Sequence, residues 1–283
     1  MGRPFEPVAD IPLATQDGRS FVRLVELMQR LLAEDGCPWD REQTFPKLRK
    51  YVLEEACEVI DAIDSGDRNE LCGELGDLAL QVVFQAELGR REGAFGPDDV
   101  IKSICDKLVR RHPHVFADVE VDGSTEVLAN WERIKASEKR GLKGESRGVL
   151  SGVPRSLPAL TRAQRVGEKV SRVGFDWPDA RGSREKVKEE LGELDDAMAL
   201  GDATKVEEEL GDVLFALVNL ARHVEVDAEG ALRRTIDKFT RRFSHVEARV
   251  TERHGGWPAS AKDDKLTLEE LDGYWEEAKR SGV

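Results

Sequence analysis

The chain writes one helical pattern twice. "YVLEEACEVIDAI", from Tyr51 to Ile63, returns about 135 residues later as "KVKEELGELDDAM", from Lys186 to Met198. At the same offset "ELCGELGDLALQVVFQA", from Glu70, is answered by "KVEEELGDVLFALVNLA", from Lys205. Three more pairs keep the order: "CPWD" at 37–40 with "FDWPD" at 175–179, "KLVRRHPHV" with "KFTRRFSHV", and "NWERIKASEK" with "YWEEAKRSG". The offset drifts between about 131 and about 144, as it does when loops change length and helices do not. Five ordered matches make a tandem duplication of a unit of about 130 residues. "GLKGESRGVLSG" is Gly- and Ser-rich without apolar periodicity and reads as a linker. The expected division is therefore 1–140, a linker at 141–152, and 153–283.

Within a unit the apolar residues recur every three or four positions. Val187, Leu191, Leu194 and Met198 form one series; Val206, Leu210, Val213, Leu217, Leu220 and Val224 form a second. Leu157, Leu160, Ala163 and Val166 predict another helix, as do Ile236, Phe239 and Phe243. Sustained strand alternation is absent, so the expected fold is all-α, a tandem repeat of two helical bundles. Long apolar stripes on so short a unit also predict a homodimer that shares helices across its interface.

On the helix from Lys186 the stripe centres near Val187, Leu191 and Leu194, with Glu190, Glu193 and Lys186 on its flank. On the helix from Lys205, Glu209 and Asp212 flank the stripe together with Lys205. Residues three apart share a face, so each helix offers a two-carboxylate edge and two neighbouring helices offer four carboxylates around one point. Burying such a group unpaired costs several kcal/mol, on the order that unpaired polar groups carry. A hard divalent cation with a preference for oxygen removes the repulsion, and Mg²⁺ suits this set, with Mn²⁺ as a substitute. The first repeat holds the same four at Glu55, Glu58, Glu74 and Asp77. Gly76 and Gly211 lie mid-helix beside them, where Gly costs about 1 kcal/mol relative to Ala, and suggest close approach of a neighbour or ligand.

Acidic residues number 56 against 43 basic ones, a formal net charge of -13. That balance argues against nucleic acid or an anionic membrane surface as partner. No apolar run is long enough for a membrane span and no apolar signal core opens the chain, so a cytoplasmic protein is expected. Cys37, Cys57, Cys72 and Cys105 show no metal or redox spacing and read as small hydrophobes. His112 and His114, in "RRHPHVF", read as helix-end structure, because no third ligand is near.

The glutamate pair, a gap of about 15 residues and "ELGD", with "GCPWDREQT", "RRHPHVFAD", "RSLPALTRAQ", "GFDW" and "EELGDVLFALVNLARH", resemble the MazG family of nucleoside triphosphate pyrophosphohydrolases over nearly the whole chain. The resemblance implies a dimerising all-α bundle, Mg²⁺ dependence, and hydrolysis of NTPs or dNTPs at the α-phosphorus to the monophosphate and pyrophosphate, in nucleotide-pool housecleaning. It carries metal ligation to Glu190, Glu193, Glu209 and Asp212, and catalysis to Glu190, Glu193 and Lys186. Nucleotide contacts fall on Lys186, Lys205, Lys238, Arg241, Arg242 and Trp275. Trp275 would stack on the base, or else pack in a core or interface.

The repeats differ where a triphosphate needs cations. Lys186 is matched by Tyr51 and Lys205 by Glu70, although the first unit keeps Lys107, Arg110, Arg111, Trp131 and Lys135. The second repeat is expected to be catalytic, and the first a weak or inactive metal site. The rival readings are a regulatory protein that binds nucleotides or a partner, and a hydrolase of a phosphoribosyl-nucleotide diphosphate.

Overall fold

The computed structural model describes residues 11–123, 126–127, 130–131, 133–134, 138, 148–257 and 266–282. Of the expected linker, 141–147 lies outside the described residues, as does Lys135. The chain divides into two compact units, Met1–Lys143 and Gly144–Val283. The first contains a short 3-10 turn at Leu13–Thr15, then α1 (Phe21–Leu32), α2 (Pro38–Arg41), α3 (Phe45–Ser65), α4 (Arg68–Arg91), α5 (Pro97–Arg111) and α6 (Pro113–Phe116). The second contains α7 (Ala159–Ser171), α8 (Ala180–Leu200), α9 (Ala203–His223), α10 (Ala228–His254) and α11 (Leu268–Arg280). No strand occurs among the described residues, and the fold is all-α in both repeats.

A two-residue turn sets the geometry of each repeat. α3 ends on Gly66 in the left-handed region (φ 78°), and Asp67 then caps α4 by accepting from the backbone N–H of Asn69 and Glu70. α8 ends on Gly201 (φ 71°), and Asp202 caps α9 by accepting from Thr204 and Lys205. Glycine reaches φ > 0 without a Cβ penalty, and an Asp at the N-cap satisfies otherwise orphaned N–H groups. The turn folds two long helices into an antiparallel pair. Glu193 lies eight residues before Gly201 and Glu209 seven after Asp202, so both stand about 12 Å from the turn at a 1.5 Å rise. Glu58 and Glu74 repeat these distances around Gly66 and Asp67.

In the first unit Met28 and Leu32 of α1 and Leu48 of α3 meet Val83, Phe84 and Leu88 of α4. In the second, α7 packs on α9, α10 on α7, and α11 on α10. Val246, Val250 and Tyr274 form a core between the last two.

The faces differ from the stripes drawn from periodicity. The buried positions of α8 are Ser183, Glu190 and Ala197, while Leu191 and Met198 are exposed and Val187 and Leu194 half-buried. α9 buries Glu209, Val213, Ala216 and Val218, and exposes Leu210 and Leu217, with Val224 exposed just past its end. Small residues, Ser183, Ala197 and Ala216, share the buried positions with Glu190 and Glu209. The carboxylates therefore sit in the helix–helix contact rather than at the rim of a leucine core. Leu210, Leu214 and Leu217 form an i, i+4, i+7 row on α9, each 45–48% exposed.

Candidate functional site

Glu190 and Glu193 of α8 and Glu209 of α9 each present a carboxylate oxygen within 4.8 Å of the other two. Glu190 and Glu209 are buried, and Glu193 opens to solvent. The loss of hydration, then the charges of Glu190 and Glu209, push the Glu193 carboxyl up, with Lys186 opposing. Two lysines offset the cluster from one turn away. The Lys186 ammonium lies 2.8 Å from Glu190 and 2.7 Å from Glu189; the Lys205 ammonium lies 3.0 Å from Glu209. Their carboxylate partners hold both lysines firmly protonated.

Asp212 is exposed and stands outside the group of three. It lines, with Lys186 and Glu190, a cleft of about 420 Å³ between α7, α8, α9 and the loop before α8. A Cβ built on Gly211, or on Gly76 in the first repeat, meets no atom within 4 Å. The close approach suggested by these glycines is thus not made by the chain itself, and the helix surface beside the carboxylates stays open.

The first repeat rebuilds the acidic half alone. Glu55, Glu58 and Glu74 offer oxygens within 4.8 Å of one another. Burial, then Asp77 and Glu58, raise Glu55; burial, then Glu58 and Asp77, raise Glu74. Tyr51 and Glu70 occupy the lysine positions. The Tyr51 ring lies edge-on to Trp39, centroids 6.0 Å apart, and Glu70 accepts from Ser65 Oγ at 3.0 Å. The arginines of this repeat are also engaged. Arg110 and Arg111 both reach Glu138 at 2.6 Å and hold its carboxyl down at about 2, and Arg111 lies over the Trp131 ring. His112 Nδ1 meets the carbonyl of Leu108 at 2.7 Å at the end of α5, a helix-end role.

Lys238 and Arg241 project from α10 as exposed cations, and Arg242 lies 5.9 Å from the Trp275 ring. Trp275 packs against Phe239, centroids 4.9 Å apart, at the edge of the core formed by Val246, Val250 and Tyr274. These four residues gather on the α10–α11 pair. The carboxylates, Lys186 and Lys205 gather on α8–α9.

Sequence reasoning passed over the far end of the cleft, where Phe175, Trp177, Asn219 and Arg222 line the wall. Arg222 donates to both Asp176 carboxylate oxygens (2.8 and 2.6 Å) and through Nε and Nη2 to Asn219 Oδ1 (2.9 and 2.6 Å). His223 Nε2 meets the same aspartate at 2.9 Å, and Arg222 holds the Asp176 carboxyl below its ordinary value. The repeat itself carried a signal: Phe84 stands at the position of Asn219, and Glu87 at that of Arg222.

The sequence has counterparts among known proteins. A model of the MazG nucleotide pyrophosphohydrolase domain matches residues 43–116 and again 182–247, spanning the carboxylate helices of both repeats. A relative from Escherichia coli strain K12, named nucleoside triphosphate pyrophosphohydrolase, is 47% identical over 264 residues, which are 92% of this chain and 97% of the relative. The chain belongs to the MazG family. It is an enzyme of that family, and the repeat is the MazG domain written twice. A second relative, from Thermotoga maritima, is named nucleoside triphosphate pyrophosphohydrolase/pyrophosphatase MazG and is 44% identical over 93% of this chain and 96% of its own. A nucleoside triphosphate pyrophosphohydrolase from Mycobacterium tuberculosis matches more narrowly, 38% identical over 57% of this chain and 48% of that protein. Among the described residues, no helix is long and apolar enough to cross a membrane.

Proposed function

We propose that the protein hydrolyses nucleoside triphosphates between the α- and β-phosphates, releasing a nucleoside monophosphate and pyrophosphate, and that the second repeat does this work. One observation carries the reading: Glu190, Glu193 and Glu209 converge to within 4.8 Å beside two lysines, at the end of a cleft. Oxygen-only donors suit a hard divalent cation such as Mg²⁺, held by Glu190, Glu193 and Glu209 with Asp212 at the cleft edge. Such an ion supplies Lewis-acid neutralisation of phosphate oxygens and a more acidic bound water.

The chain's own residues do the rest. Glu193 is the solvent-exposed member of the cluster and the carboxylate open to an attacking water. Lys186 and Lys205 bring positive charge to the cluster's edge. Lys186 lines the cleft and Lys205 stands against Glu209 of the same cluster, and cations aimed at developing negative charge favour the transition state. Lys238, Arg241 and Arg242 add charge from α10 for the leaving pyrophosphate. The relatives named as nucleoside triphosphate pyrophosphohydrolases support this substrate class. Housecleaning of the nucleotide pool is the role that fits it.

A panel of NTPs and dNTPs, with monophosphate and pyrophosphate quantified separately, tests the reading. Equimolar monophosphate and pyrophosphate are expected; release of orthophosphate, or faster cleavage of a phosphoribosyl-nucleotide, would overturn it. Lys186→Ala and Lys205→Ala should each lower kcat about ten- to a hundredfold, the range for one lost charge-assisted contact in the transition state. Lys→Arg at the same positions should recover part of the loss.

We also infer a homodimer. The Leu210, Leu214 and Leu217 row offers an apolar face that the unit does not cover itself. Leu214→Glu should halve the mass measured by light scattering; an unchanged mass would place the interface elsewhere.

A further inference from the structure

The cleft beside the carboxylates runs on past them, and its far end has the makings of a nucleoside pocket. Resting on the activity proposed above, we propose that the nucleoside lies between Trp177 and Phe215, with the Asn219 side-chain amide nitrogen donating to a carbonyl oxygen of the base.

Asp212 and Asn219 are seven residues apart on α9, two turns of helix on one face, so about 10 Å separates them along the axis. That is the reach of a nucleotide from its α-phosphate across the sugar to the far edge of the base. Phe215 and Ala216 lie between them on the cleft wall, and Trp177 lines it from the loop before α8. The indole is fixed in place: a Cβ at Gly182 would come within 2.3 Å of Trp177 Cδ1. Two aromatic side chains lining one cleft offer stacking surface to a flat ring.

Asn219 supplies direction. Its Oδ1 accepts two N–H groups from Arg222, and a guanidinium has only donors, so the amide orientation is settled. Asn219 lines the cleft, and its Nδ2 donates no hydrogen bond among the described residues, which leaves that donor for a ligand. Arg222, forked onto Asp176 and committed to Asn219, is a positioning residue for that amide rather than a phosphate clamp. A fixed donor selects bases with a carbonyl acceptor, as in guanine and uracil, over adenine, which has none. The first repeat has lost this end too. Phe84 replaces Asn219 and packs into the core with Met28 and Leu48, and Tyr51 lies against Trp39, the counterpart of Trp177.

The test is kcat/KM of the full-length protein for GTP, UTP and ATP, with product inhibition by GMP, AMP and pyrophosphate. Wild type should favour GTP and UTP. Asn219→Asp turns the donor into an acceptor, and should lower GTP and UTP at least tenfold while ATP holds or rises. Trp177→Ala should weaken inhibition by GMP and AMP about tenfold and leave pyrophosphate inhibition unchanged. Arg222→Lys, which cannot fork, should shrink the GTP-to-ATP ratio with little change in kcat for ATP. Equal losses for all three nucleotides, or altered pyrophosphate inhibition with unaltered GMP inhibition, would overturn the proposal. Calorimetric titration of GMP and AMP into wild type and Asn219→Asp reads the pocket without turnover. A protein that binds GMP over AMP but cleaves no NTP refutes the activity and leaves the pocket standing.

Discussion

Glu193→Ala and Asp212→Ala in the full chain should each lower NTP turnover by more than about a hundredfold, beyond the 10–100-fold that loss of even an outer partner of a metal ligand typically brings. Glu58→Ala and Asp77→Ala should leave turnover within about twofold of wild type, judged on kcat/KM. The duplication makes each pair the other's control, since the same residue type leaves the same helical position. In the second repeat the substitution removes an oxygen from a cluster that carries Lys186 and Lys205. In the first it removes one from a cluster whose lysine positions are Tyr51 and Glu70 and whose arginines are bound to Glu138. A triphosphate meets added negative charge there. The altered side chains are exposed, so far-ultraviolet circular dichroism should be unchanged in all four variants. If the Glu58 and Asp77 variants lost as much activity as the others while folded, catalysis would not belong to the second repeat alone.

Chelation should abolish turnover without unfolding the bundle, and Mg²⁺ or Mn²⁺ should restore it. Full activity after exhaustive EDTA treatment and dialysis would end the metal reading. A second readout does not depend on turnover. A cation that binds the folded carboxylate cluster and not the unfolded chain raises the melting temperature with its concentration. The pH dependence has a definite sign. Glu193, Glu55 and Glu74 bind protons more tightly folded than unfolded, because burial and like charges raise them. A raised carboxyl destabilises the fold above its folded pKa, and the penalty is relieved as pH falls through that value. The clusters' own contribution to the stability of the metal-free protein should therefore rise as pH drops from neutrality into the carboxylate range, against the loss from lowered carboxylates such as Glu138 and Asp176, and the increment from Mg²⁺ should shrink over the same interval. Glu193→Gln should flatten part of that slope.

The two repeats, the all-α class and the six glutamates that converge were legible in the chain because they are periodic. Identical spacing at a constant offset places the same residues at the same height of the same helix, whatever surrounds them. The Gly-Asp turns were legible too, in "SGDRN" and "LGDAT". Their distance to each glutamate already sets Glu193 level with Glu209.

Contacts were not legible, because periodicity gives a direction around a helix and not what stands in that direction. Leucines at helical spacing were read as core, and Leu191, Leu210 and Leu217 lie exposed. The buried positions went instead to Ser183, Ala197 and Ala216, with Glu190 and Glu209. A sequence cannot say what each cation is paired with. Arg110 and Arg111 match Arg241 and Arg242 letter for letter, and the partner of the first pair, Glu138, stands more than twenty residues away. Trp177 and Asn219, 42 positions apart, share a cleft only because α9 runs back beside the loop preceding α8. The chain by itself determined two helical units and where their carboxylates sit. Only the tertiary structure decided how each unit's arginines are paired and where open space lies beside the carboxylates, since both depend on residues distant in sequence meeting or failing to meet.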